Sequence, residues 1–214
     1  MSSPQALIPL VVTALLSASI AEATEPPRPE AQIRFVQARR ALKKPAAPSV
    51  GAAKGKRQAR PSLPALRFGE VSPYFRVAAG ATALRFGPGR AATTLKAGGR
   101  YTIALTGGRK PLRVLEDHAP EAGQGVLTFY NLTGLGWVSL EGGPDGPTVV
   151  KAEPGASASV TRAPGAVPLV LMVEDDSGAE PLDAAALEAG AVLSLFALDG
   201  DAGSVQVARA SSRE

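Results

Sequence analysis

The chain has 214 residues, a length that suits one large domain or two small ones. It contains no cysteine and a single histidine, His118, which excludes disulfides, zinc–thiolate sites, cysteine nucleophiles and any site built on two imidazoles. The net charge of +4 conceals a dipole: Thr24 to Arg113 carries 19 Lys/Arg against three acids (net +16), Val114 to Glu214 carries four against 15 (net −11), and Glu22 supplies the remainder.

Aromatic residues are scarce at 5%, while glycine (23) and proline (19) are plentiful, a mixture that predicts short strands and many turns rather than a helical bundle. Ala6 to Ala21 is a mostly apolar run that ends in Ala21-Glu22-Ala23, the small-x-small pattern of an export signal, so residues 1–23 read as a leader cleaved after Ala23. The run has about 16 residues and is interrupted by Pro9, short of the roughly 20 needed to span a membrane. The mature protein is therefore expected to be soluble and outside the cytoplasm.

Residues 24–116 read as a basic β domain. Gln32 to Val36 suits a strand with Ile33 and Phe35 on one face. Arg39 to Pro64 is Ala, Pro, Gly, Lys and Arg with almost no large apolar side chain, and reads as a long mobile basic loop. Six strand candidates follow: Ala65–Phe68, Tyr74–Ala78, Ala83–Phe86, Ala92–Lys96, Tyr101–Leu105 and Leu112–Leu115, separated by Gly, Pro or Ser turn signals. Ile33-Arg34-Phe35, Leu66-Arg67-Phe68 and Leu84-Arg85-Phe86 repeat one triplet, and period two directs the apolar pair inward and the arginine outward.

Residues 117–124 read as a linker and 125–214 as an acidic β-sandwich domain. Its strand candidates are Gly125–Asn131, Gly136–Glu141, Thr148–Ala152, Ala156–Thr161, Pro168–Glu174, Ala191–Leu198 and Ser204–Ala208. A short helical turn is predicted at Leu182–Leu187, with Asp183 as cap and Gly190 as stop. The fold class is thus all-β, with two small antiparallel β-sandwich-like domains after a signal peptide.

Candidate chemistry is sparse. His118 is the sole general base on offer, and neighbouring Asp117 points away from it in an extended chain, so a linker histidine is the better reading. Gly87-Pro88-Gly89-Arg90-Ala91-Ala92 fits a relaxed dinucleotide pattern but has no helix after it, and reads as a turn. Glu174-Asp175-Asp176 and Asp199-Gly200-Asp201 lack the ligand count of a calcium loop. Asn131-Leu132-Thr133 matches a glycosylation acceptor by chance, and Trp137 reads as core rather than as a sugar-stacking platform. No catalytic residue, cofactor or metal site is implied.

Nucleic acid is disfavoured as the partner of the basic half by the leader, by the lack of interleaved aromatics and by the acidic second half. An anionic polysaccharide, an anionic membrane surface or an acidic protein suits an exported basic surface better. Arg34, Arg67, Arg76 and Arg85 are expected to form an outward stripe that could bind uronate carboxylates. A purely structural surface protein is the remaining class.

Taken in order, several segments resemble the AlgF family of periplasmic alginate O-acetylation accessory proteins. They are Ile33-Arg34-Phe35-Val36-Gln37-Ala38, Phe68-Gly69-Glu70-Val71-Ser72-Pro73-Tyr74, Leu95-Lys96-Ala97-Gly98-Gly99-Arg100-Tyr101-Thr102, Val126-Leu127-Thr128-Phe129-Tyr130-Asn131-Leu132-Thr133, Val138-Ser139-Leu140 and Leu187-Glu188-Ala189-Gly190-Ala191-Val192. The likeness covers nearly all of the mature chain, and the shared order of the segments carries it. It implies a two-domain β protein without catalytic machinery of its own, acting as an adaptor beside a membrane-bound O-acyltransferase and periplasmic polysaccharide acetyltransferases. The Arg39–Pro64 segment departs from the family pattern, and no functional residue carries over.

Overall fold

The computed structural model describes residues 29–52, 63–143, 146–174 and 179–213. The leader and the 53–62 part of the basic segment lie outside the described residues, as do Asp175 and Asp176 of the acidic run. The architecture is all-β, and the helical content of the described residues is one 3₁₀ turn, Asp201–Gly203. No described helix is long and apolar enough to cross a membrane.

Seven strands come from the basic half: β1 (Glu30–Gln37), β2 (Pro48–Ala52), β3 (Phe75–Ala78), β4 (Gly80–Phe86), β5 (Gly89–Leu95), β6 (Arg100–Leu105) and β7 (Leu112–Asp117). They form a sheet of order β3-β1-β6-β7 and a second of order β2-β4-β5. Ile33, Phe35, Ile103 and Leu105 of the first sheet pack on Val50, Leu84, Phe86 and Leu95 of the second. At the centre Phe35 meets Phe86 edge to face, with centroids 5.4 Å apart. Two of the three repeated triplets therefore supply both apolar side chains to this core, as period two dictates, and the third supplies Leu66 while its Phe68 packs on the apolar cluster between the two halves.

Eight strands come from the acidic half: β8 (Gly125–Asn131), β9 (Val138–Glu141), β10 (Thr148–Ala152), β11 (Ala156–Arg162), β12 (Gly165–Val173), β13 (Ala179–Leu187), β14 (Ala191–Asp199) and β15 (Val205–Arg213). Their sheets have the orders β11-β8-β14-β15 and β10-β9-β12-β13. Leu127, Phe129, Leu195 and Ala197 from one sheet enclose a core with Leu140, Val150, Leu169 and Leu171 from the other.

The two halves share one topology. In each, the first strand pairs parallel with a late strand, β1 with β6 and β8 with β14, and each pair is flanked by antiparallel neighbours. The partner sheets correspond as well, β2-β4-β5 matching β9-β12-β13, with β10 the one addition. Among the described residues no strand of one half pairs with a strand of the other. Contact comes instead from the outer faces of β1, β6, β8 and β14, where Val36, Ala104, Tyr130, Leu132, Phe196 and Leu198 form a third apolar cluster. The molecule is thus four sheets deep, with β6 and β8 buried on both faces.

Four expectations need correction. The segment expected to be a mobile loop contains β2, which pairs antiparallel with β4 and buries Val50; its small side chains fit a sheet already supplied with apolar partners. Ala65–Phe68 is no strand and makes only a bridge from Leu66 to Ala46. Leu182–Leu187 is part of β13, because pairing with β12 overrides the helical preference of its alanines. Asp117, expected to open the linker, ends β7 with its side chain buried.

The predicted turn at Gly87-Pro88 is a two-residue hairpin loop between the paired Phe86 and Gly89. Gly87 takes the left-handed φ of +53° that its first central position requires.

Candidate functional site

Polar side chains converge where the two domains meet, and Arg34 stands at the centre. The chain alternation that sends Ile33 and Phe35 into the first core sends Arg34 to the opposite face, and that face is covered by the second domain. Arg34 is 1% exposed, so the expected outward stripe loses its first member. The error has a physical cause: pointing away from one core means reaching solvent only when nothing else packs on the sheet.

The guanidinium of Arg34 bonds through both Nε and Nη2. Its Nε donates to Thr102 Oγ1 at 2.8 Å, and its Nη2 donates to Tyr130 Oη at 2.8 Å and Ser194 Oγ at 2.7 Å. Asp117 balances the charge, with Oδ2 3.9 Å from Arg34 Nη2. The carboxylate accepts hydrogen bonds from Tyr130 (2.5 Å), Thr102 (2.7 Å) and Tyr74 (2.7 Å). Hydroxyl groups thus relay between a buried cation and a buried anion, satisfying both, as burial demands.

Aromatic rings complete the enclosure. The Arg34 guanidinium lies 4.7 Å from the Tyr74 ring centroid and 5.1 Å from that of Phe196, while Arg100 approaches Tyr74 at 4.4 Å. Tyr130 stacks on its sheet neighbour Phe196, with centroids 4.5 Å apart. Burial, and then the nearby Asp117 carboxylate, push the phenols of Tyr74 and Tyr130 well above the ordinary tyrosine range. Both therefore stay protonated donors at neutral pH. The arrangement holds two domains in one register rather than presenting a reactive group to solvent.

The other sequence candidates lie apart. Arg67 is exposed in a turn, Arg85 is exposed on β4, and Arg76 on the edge strand β3 pairs with Glu30 at 3.6 Å. With Arg34 removed they do not line one face. His118 is exposed just after β7. Trp137, read as core, is 37% exposed, with Lys151 Nζ 4.9 Å from its ring and Glu174 pairing Lys151 at 3.4 Å. Asn131 is fully buried: its amide donates to the carbonyls of Gly136 and Ala152, and its oxygen accepts from Thr133. Among the described residues no three His, Asp or Glu side chains group as metal ligands; Asp201 instead pairs with Arg40 across the domain boundary.

Sequence reading missed Tyr74, Thr102, Asp117, Tyr130 and Ser194. One signal was available. Tyr101–Leu105 and Val126–Thr133 contain no charged residue on either face, the mark of strands covered on both sides.

Fold and site together define a tandem β-sandwich protein whose domains are joined by a buried polar network. Comparison with protein-family models gives no match, and none of the curated proteins matches either. Among solved structures, the C-terminal domain of AlgF from P. aeruginosa is similar at 22% identity and a TM-score of 0.37, over 42% of this chain and 99% of that domain. The Bacillus anthracis TIE protein is similar at 11% identity and a TM-score of 0.25, over 79% of this chain and 34% of that one.

Proposed function

We propose that the protein is a non-catalytic periplasmic accessory protein of exopolysaccharide O-acetylation. In this reading it acts as an adaptor beside a membrane-bound O-acyltransferase and periplasmic acetyltransferases. The observation that supports it is where the AlgF-like segments fall in the structure. Ile33–Ala38 contributes Arg34, Phe68–Tyr74 contributes Tyr74, Leu95–Thr102 contributes Arg100 and Thr102, and Val126–Thr133 contributes Tyr130. The resemblance therefore coincides with the residues that join the domains, beyond the turns that any β protein needs.

An adaptor must hold two partners at a fixed spacing. Two domains locked by a desolvated network keep their outer sheets in a constant relation, so a partner bound on one is placed relative to a partner bound on the other. The test is genetic: deletion should abolish acetylation of the exported polymer while leaving its synthesis intact. A deletion strain with normal polymer acetyl content would overturn the proposal.

A further inference from the structure

A second site lies at the rim of the domain interface, away from the buried network. Alternate side chains of β7 face the second domain: Asp117 enters the network, Leu115 packs in the interdomain cluster, and Arg113 reaches the edge. There the β6–β7 loop, the chain after β8, the β10–β11 turn and the end of β14 enclose a cleft of about 280 Å³. Its position between two domains is one where ligand sites commonly form.

The charged groups in this cleft have spare bonding capacity. Arg113 is exposed and makes no ion pair among the described residues. Its guanidinium lies on the backbone of Gly155, with Nε, Cζ and Nη2 each 3.1 Å from where a Cβ would stand. Any other residue at 155 would have to displace it. Asp199 lines the same cleft; its Oδ1 accepts from the Gly134 amide at 2.8 Å, while Oδ2 takes no hydrogen bond among the described residues. Arg113 and Asp199 are not closed on each other in an ion pair. Thr106 and Thr133 add polar wall.

An unpaired guanidinium fork suits a carboxylate, and a free carboxylate oxygen suits a hydroxyl or an ammonium. The charge at the mouth decides between these two. Arg109 and Lys110 are exposed on the β6–β7 loop and Glu153 on the β10–β11 turn, so three bases stand against two acids and a net anion is favoured over a zwitterion. We propose that this cleft binds a small polyhydroxylated carboxylate, with its carboxylate on Arg113 and a hydroxyl on Asp199 Oδ2. The proposal does not rest on the acetylation reading.

The test is an NMR titration of the full chain with sodium glucuronate, following the amides of Gly107, Gly108, Gly134 and Gly155. Acetate, glucose and alanine serve as the carboxylate-only, hydroxyl-only and zwitterionic probes. Glucuronate should bind saturably with a dissociation constant on the order of 1 mM, and each other probe should bind about tenfold more weakly or less. Arg113→Gln should abolish the response. Asp199→Asn should weaken glucuronate about tenfold while leaving the acetate response unchanged. Both side chains are exposed, and unchanged amide shifts elsewhere would confirm the fold. Absence of a saturable response, equal binding of alanine, or full binding by Arg113→Gln would each overturn the proposal. Because the readout is binding, polymer acetyl content has no bearing on the outcome.

Discussion

The guanidinium of Arg34, on a central strand of one domain, donates to the phenol oxygen of Tyr130, on a central strand of the other, at 2.8 Å. Tyr130 in turn donates to Asp117 of the first domain at 2.5 Å. The path leaves a domain, crosses the interface and returns, so the first domain, which owns both Arg34 and Asp117, does not satisfy these buried charges alone. Four predictions follow from that dependence and from the packing around it.

Replacing Arg34 leaves Asp117 buried without its cation. Arg34→Met is expected to lower stability by about 3–5 kcal/mol, measured by urea denaturation. Asp117→Asn introduced into Arg34→Met should then cost less than it does in the unmodified protein, because the charge it removes is already unpaired. Additive costs would show that the two side chains do not act as a pair.

Alkaline pH should destabilise the fold through Tyr74 and Tyr130. The phenols of Tyr74 and Tyr130 have folded pKa values raised by burial and by Asp117, while the unfolded chain titrates near the usual value of about 10. Above about pH 10 the unfolded state sheds protons that the folded state keeps. The stabilisation is thus complete below that pH and is lost as pH rises, by about 1.4 kcal/mol per pH unit for each phenol. Urea midpoints recorded from pH 9 upward provide the check, and a flat profile would contradict it.

Gly125 opens β8 where no side chain fits. A Cβ there would stand 2.4 Å from Leu187 Cγ and 2.7 Å from the carbonyl oxygen of Glu188. Gly125→Ala should cost about 1–3 kcal/mol through displacement of β13 and the turn that follows it. Thermal unfolding would measure the loss, with Gly51→Ala as control, since a Cβ at Gly51 meets nothing within 4 Å.

The two domains should unfold as one unit. Trp137 is the single tryptophan and belongs to the second domain, so its fluorescence reports that domain, while far-UV circular dichroism reports both. The two transitions are expected to coincide. Arg34→Met should shift the Trp137 transition although the substitution lies in the first domain. Separate midpoints would show that the interface adds little.

Most of the strand pattern was legible, because short apolar segments between Gly and Pro turns declare themselves locally. Gly125–Asn131 and Thr148–Ala152 have the very limits expected of them. What failed was non-local. β2 is Pro-Ser-Val-Gly-Ala, which has one large apolar side chain and becomes a strand only through β4. β13 holds three consecutive alanines whose helical preference yields to β12. Period two predicted correctly that Arg34 faces away from Phe35, but the second domain beyond that face left no local mark on β1. For the same reason the network was hidden, since its members are scattered from residue 34 to residue 194 and meet only in three dimensions.

The hydrogen bond from Arg34 to Ser194 joins positions 160 residues apart in sequence. During synthesis, the first domain can assemble its own sheets once β7 has emerged, yet its most buried cation must wait for β14. A chain truncated between these points would keep Arg34 and Asp117 facing an uncovered apolar surface. Full stability is therefore expected only when the last strands arrive.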